Sequence, residues 1–284
     1  MTRPMKYALY ALHRGENAQP RRLADTARRV EGLGFESLWV GDHIALPDDA
    51  PDSATEPRLE ALTTLTYLAA VTDRIRLGVG VLVLPQRQPV LLAKQLTSLD
   101  VLSGGRLDVG IGVGHVEAEL AAFGVGMADR AAMTDEHIDV LLKLWRHDRD
   151  HDGRFVTLHG VVQHPGPVQR PRPPLVVGGH AAAAIERAAA VGDGWFGWEL
   201  TPDQAGETIA RLDRARRRLR GADATRLQIT ITPPDPIVTP DDVRRYAEAG
   251  VDRLVLVPGS MTVRGTDAVI DHAATHLLDA AGRG

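Results

Sequence analysis

Ile75-Arg-Leu-Gly-Val-Gly-Val81 is the stretch that decides the fold. Its apolar side chains do not alternate with polar ones, so it reads as a strand covered on both faces. That is the habit of parallel strands flanked by helices. Glycines at 78 and 80 inside such a strand mark either close approach of a ligand to the backbone or tight packing within the sheet. Moving outward, similar short runs recur along the whole chain, at Lys6–Ala11, Ser37–Val40, Arg106–Ile111, Leu175–Val177, Gly194–Gly197, Leu227–Thr230 and Arg253–Val257. Between them the apolar residues take helical spacing: Leu23, Ala27 and Val30; Leu92, Leu96 and Leu99; Ile138, Leu141, Leu142 and Trp145; Ile209, Leu212 and Leu219. Eight strands, each followed by a helix, give an α/β chain folded as a (β/α)8 TIM barrel, one domain over residues 1–284. The proline-rich stretch from Trp145 to Pro174 predicts a small hairpin excursion before strand 5.

Composition narrows the function. The 284 residues include no cysteine, which removes disulfides, thiolate metal sites and cysteine nucleophiles. A net charge of −4 supplies no electrostatic reason to bind nucleic acid. No apolar run approaches the ~18 residues of a membrane span, and no signal core is seen at the start, so a cytoplasmic location is expected.

In a barrel, function gathers at the C-terminal ends of the strands. Asp42-His43 stands at such an end. An acid beside an imidazole suits proton transfer or a polar ligand, and equally a loop pair capping a helix. Gly110-Ile-Gly112-Val-Gly114-His115 resembles a dinucleotide fingerprint, but His115 stands where glycine is wanted. Glu117 and Glu119 in the following helical turn would also oppose a pyrophosphate. A glycine-lined platform for a flat ring fits better. Gly178-Gly179-His180 leads into a helix starting near Ala181, a backbone arrangement suited to a phosphate or to a plain turn. Asp148 to Gly153 opens like a calcium loop but has His159 at the twelfth position and reads as a solvated turn. No zinc motif, Walker A motif or nucleophile elbow is present, and no metal is expected. Arg214, Arg216, Arg217, Arg218 and Arg220 form a basic run at a helix end, which suits the helix dipole and reads as a solvated face.

As an ordered set, several stretches resemble the bacterial luciferase-like family of flavin and deazaflavin oxidoreductases. They are Ala27-x3-Glu31-x2-Gly34-Phe35-x3-Trp39-Val-Gly-Asp42-His43, then Leu92-Ala93-Lys94-Gln95 through Asp100-x-Leu102-Ser103-Gly104-Gly105-Arg106. Gly110-Ile-Gly112-Val-Gly114, Leu144-Trp145, Pro173-Pro174-x3-Gly178-Gly179 and Gly192-Asp193-Gly194-Trp195 complete the set. The resemblance implies a barrel binding coenzyme F420, or alternatively FMN, at the strand C-termini. It places a non-proline cis peptide at Gly80-Val81, with Val81 against the ring's back face. Val113, Gly114 and His115 would line the ring's edge, and Gly178, Gly179 and His180 would hold its phosphate. His43 is the expected general acid, Asp42 would orient it or bind the ring, and Trp195 and Trp198 would wall the substrate side. The function so implied is an F420-dependent oxidoreductase moving hydride between the deazaflavin C5 and a small organic substrate. The alternatives are an FMN-dependent two-component monooxygenase and a flavin-binding barrel without catalysis. A homodimer and a flavin or deazaflavin reductase as coenzyme supplier are the implied partners.

Overall fold

The computed structural model describes residues 4–49 and 56–278; the remaining residues of the expected 1–284 domain lie outside that description. Eight parallel strands form the sheet: β1 Lys6–Tyr10, β2 Ser37–Val40, β3 Arg76–Val79, β4 Leu107–Gly112, β5 Leu175–Gly178, β6 Gly194–Gly197, β7 Gln228–Ile231 and β8 Arg253–Leu256. Their spatial order is β3-β2-β1-β8-β7-β6-β5-β4. Pairing of Leu77 with Leu107 and of Gly78 with Asp108 then closes β3 onto β4. The sheet is therefore a closed (β/α)8 barrel, as the strand count predicts. A two-residue continuation, Leu82–Val83, resumes the β3 line and pairs with Ile111 and Gly112.

The helices are α1 Pro20–Leu33, α2 Ala61–Val71, α3 Pro89–Leu102, α4 Glu117–Ala122, α5 Arg130–Arg146, α6 Ala182–Val191, α7 Pro202–Arg220, α8 Pro240–Ala249 and α9 Val263–Ala273. Proline at the first turn begins α1, α3, α7 and α8, where its missing N–H costs nothing. The expected apolar stripes face the barrel, with one exception. Leu219 is exposed, and the buried position near the end of α7 goes instead to Arg216, whose guanidinium donates to the carbonyls of Ala189 and Gly192 where α6 ends. The excursion before β5 is a short antiparallel hairpin, His151–Asp152 against Thr157–Leu158. No helix among the described residues is long and apolar enough to cross a membrane.

Strand alternation divides the core into two. Outward-facing side chains such as Leu9, Leu38, Leu77, Val177 and Trp195 join the helices in one large cluster. Inward-facing Ala8, Tyr10, Trp39, Val176, Phe196 and Val255 form a second cluster inside the barrel. Beneath that apolar layer lies a charged plug. Arg253, 1% exposed, donates to both oxygens of Glu36 at 2.8 and 2.7 Å and to Asp108 at 3.2 Å, and Arg76 pairs with Asp108. The Arg253 guanidinium also lies 5.3 Å from the Trp39 ring. The plug closes the N-terminal end of the barrel, so only the opposite end is open to a ligand.

Several residues shared with the luciferase-like pattern build this frame. Glu31 accepts hydrogen bonds from the amides of Asp73, Arg74 and Ile75 and so fixes the entry to β3. Arg106 donates to the carbonyls of Ala69, Thr72 and Ile75, clamping the end of α2 to the turn before β4. Asp100 holds the amides of Val168 and Gln169, tying the excursion to α3.

Candidate active site

At the open end, the glycines of β3 make room for large rings. A Cβ on Gly78 would lie 2.5 Å from the Trp39 indole, and one on Gly80 would lie 2.8 Å from the Phe196 ring. Gly78 is therefore a packing glycine. The Trp39 and Phe196 rings stack at 5.4 Å, and the Tyr10 hydroxyl donates to the Gly80 carbonyl at 3.3 Å. The Gly80-Val81 peptide is cis. Val81 then seats its methyl groups where Gly112 and Gly178 have no side chain: a Cβ at those positions would come within 2.6 and 2.8 Å of them. The outcome is a half-buried apolar surface at the centre of the mouth, flanked by bare backbone on β4 and β5.

His43 stands at the end of β2. Its Nδ1 lies 2.9 Å from Oε2 of Glu119, a carboxylate only 1% exposed at the start of α4. The other Glu119 oxygen accepts the amides of Ile44 and Ala45 at 2.6 and 3.2 Å. Burial pushes the Glu119 carboxyl up, but the hydrogen bonds from His43, Ile44 and Ala45 outweigh it and hold the group below the usual carboxylate range. An ionised carboxylate can only accept, so Nδ1 of His43 carries the proton and Nε2 is left for exchange. The His115 ring meets that of His43 edge-on at 5.9 Å.

Asp42 differs from its expected role toward His43. Both its oxygens are engaged elsewhere: Oδ2 accepts the Val83 amide at 2.9 Å and Arg87 Nε at 3.2 Å, and Oδ1 pairs with Arg87 Nη2. Arg87 is shared with Glu60 at 2.9 Å. Asp42 thus braces the segment that follows the cis peptide, and Glu119 is the residue that orients His43. Adjacent residues at a strand end point to opposite sides, which is why the sequence neighbour is not the partner.

Trp195 is likewise corrected. It is fully buried on the outward face of β6, and its indole N–H donates to the Gly179 carbonyl at 3.0 Å, so it supports the glycine turn from behind. Phe196 takes the inward position. Trp198 lies at the rim, 37% exposed, 5.3 Å from Tyr10 and 6.4 Å from Phe196. Val113 and Gly114 are half-buried and His115 is exposed, all in the loop after β4. Gly179 has φ +112 and is exposed with His180. α6 begins without a side-chain cap; the Ala184 amide turns back to the Ala181 carbonyl at 2.9 Å, which leaves the amides of Ala182 and Ala183 to solvent or a ligand. His180 Nε2 accepts the Trp198 amide at 3.1 Å, so that nitrogen carries no proton and the ring is neutral.

His13, which carried no signal in the sequence, is buried beneath the same mouth. Its Nε2 accepts the Gly41 amide at 3.2 Å. A cavity of about 510 Å³ lies beside the mouth, between Pro85–Pro89, α5 and the hairpin, and touches none of the expected site residues.

Charge-poor backbone on three neighbouring strands, an apolar seat between them and one carboxylate-held imidazole on the rim suit a flat ring and a proton transfer beside it. The profile of the luciferase-like monooxygenases matches residues 5–282. The chain belongs to this family. An uncharacterized protein from Mycobacterium tuberculosis (strain ATCC 25618 / H37Rv) is 32% identical over 243 residues, 81% of this chain and 82% of that one. Among solved structures, monooxygenase RslO1 from Streptomyces bottropensis superposes with TM-score 0.81 at 23% identity, covering 97% of this chain and 99% of that chain. An F420-dependent secondary alcohol dehydrogenase, solved with an F420-acetone adduct, superposes with TM-score 0.81 at 19% identity, covering 99% and 100%. The two superpositions show that this luciferase-like chain shares their fold over its full length.

Proposed function

We propose that this protein is a coenzyme F420-dependent oxidoreductase acting on a small organic substrate, with His43 as its general acid. The observation that carries the reading is the His43–Glu119 pair at the same end of the barrel as the Val81 seat. A protonatable group aimed by a buried carboxylate, on a mouth that also presents an apolar seat, supports it. The residues present fit the coenzyme. Gly80 and Val81 would carry the ring, Val113, Gly114 and His115 its edge, and Gly178, Gly179 and His180 its phosphate, received by backbone amides at the start of α6. When bound, the deazaflavin supplies hydride exchange at C5. His43 holds the proton that the substrate oxygen takes up or gives back, and Glu119 steadies the imidazole while its charge changes. Trp198 and Tyr10 would exclude water on the substrate side, and Asp42 with Arg87 keeps the Val83 segment in place.

Support for F420 comes from the full-length likeness to the F420-dependent alcohol dehydrogenase. The likeness to monooxygenase RslO1 favours a second reading, an FMN-dependent monooxygenase supplied by a reductase. Titration with each coenzyme, followed by quenching of tryptophan fluorescence, separates the two, as does the oxygen dependence of turnover. The His43→Ala variant is expected to bind F420 as the parent does and to lose about 10²–10⁴ in kcat. Unchanged turnover would remove His43 from the chemistry.

A further inference from the structure

The basic run on α7 is not one solvated face. Arg216 is buried on the carbonyls that end α6, Arg220 donates to the Ala190 carbonyl, and Arg218 pairs with Glu186. Arg211 and Arg214 have no ion pair or side-chain hydrogen bond among the described residues. Both line a groove of about 290 Å³ between α6 and α7, with Arg218, Glu186 and Ala182. Three guanidinium groups face one carboxylate there, a net of two positive charges in a chain that is negative overall. The arginines fall at i, i+3 and i+7, one face of the helix, and span about 10 Å along it. The groove ends at Ala182, in the uncapped first turn of α6, and that turn is fed by Gly178–His180.

We propose that this groove holds an oligocarboxylate chain continuing from the coenzyme's phosphate, the oligoglutamate tail that F420 carries and FMN lacks. The inference rests on the deazaflavin reading above and extends it from the ring and phosphate to the rest of the molecule. Guanidinium groups match carboxylates in geometry and stay charged at any working pH. A groove with room and unpaired arginines beside a phosphate site therefore selects for anionic groups arriving in sequence. FMN, whose phosphate is terminal, gains nothing from it.

The test is a binding titration of the whole chain with oligoglutamyl F420 and with its glutamate-free form, read by tryptophan quenching. It is repeated on the double variant Arg211→Gln/Arg214→Gln, with a thermal melt to confirm that both proteins are folded. Exposed ion pairs are each worth about two- to fivefold in affinity, so the tailed form should bind roughly tenfold tighter than the glutamate-free form to the parent. It should show no such advantage on the double variant, and its advantage should shrink with added salt. Equal binding of both forms to the parent, or an advantage that survives the double substitution, overturns the groove assignment and leaves the F420 reading standing. Binding of FMN and of neither deazaflavin form overturns the F420 reading, and the groove assignment with it.

Discussion

His13 ties the stability of the mouth to pH in a way that can be worked out. It is fully buried, and its Nε2 accepts the Gly41 amide, so the single proton of the neutral ring sits on Nδ1, which has no partner. Burial, then the charges of Arg14, Arg58 and His43, lower its pKa from 6.5 to about 3. Between those values the unfolded chain binds a proton that the folded chain refuses. Stability therefore rises with pH across that window and is lost as pH falls below about 6.5. From pH 7 to pH 5 the unfolded histidine goes from about one-quarter protonated to nearly full, while the folded one stays neutral, a loss of about 2 kcal/mol. In a chain of this size that is roughly 4–8 °C in Tm. The His13→Gln variant keeps an acceptor for the Gly41 amide and cannot be protonated. Thermal unfolding of both proteins at pH 7 and pH 5 isolates the effect, because every other titrating group contributes alike to parent and variant. The variant should lose less stability on acidification by about 2 kcal/mol. Parallel pH dependences would refute the argument and mean that His13 takes up its proton in the folded state.

Two further outcomes follow from the contacts at the mouth. Glu119→Gln replaces the carboxylate that holds the His43 ring, so kcat should fall about 10–100-fold with coenzyme binding retained, and on a His43→Ala background the same substitution should cost little further; a full additional loss in the double variant would show that Glu119 does not act through His43. Gly112→Ala drives a Cβ to within 2.6 Å of a Val81 methyl group and should weaken F420 binding about tenfold, while the added Val81→Ala change should recover part of the loss; additive losses in the titration would show that the two positions are not coupled through this contact.

The barrel was legible because parallel strands buried on both faces leave continuous apolar runs, and all eight begin within one residue of where those runs predict; seven also end within one residue, while β3 stops at Val79, two residues before the end of the Ile75–Val81 run, and its line resumes at Leu82. Side-chain direction was legible only in part. Trp195 and Phe196 are neighbours of similar size, and which one faces inward depends on register: Trp195 pairs with Ile229 and Phe196 with Thr230. A shift of one residue would exchange them. Glu119 was hidden for a different reason. It lies 76 residues from His43, in a six-residue helix, and nothing local distinguishes it from the exposed Glu117 in the same turn.

The distribution of side-chain size around the barrel explains why the mouth has two working sides. Glycines concentrate on β3, β4 and β5, which are neighbours in the closed sheet: Gly80, Gly112, Gly114, Gly178 and Gly179 all lie at or just past the strand ends. Removing side chains there brings backbone amides and the Val81 seat to the surface, which suits a large coenzyme recognised by shape and by its phosphate. The strands on the other side, β1 and β2, carry Tyr10, His13 and His43, with Trp198 following β6. On the proposed reading those side chains add an aromatic wall and the proton of His43, whose ring Glu119 orients. Because the Arg253–Asp108–Glu36 plug fixes the other end, the two sides cannot drift apart without breaking buried ion pairs. A substitution that alters substrate choice should therefore fall among Tyr10, Trp198 and the loop after β2, and one that alters coenzyme choice among the glycine strands and the α6–α7 groove.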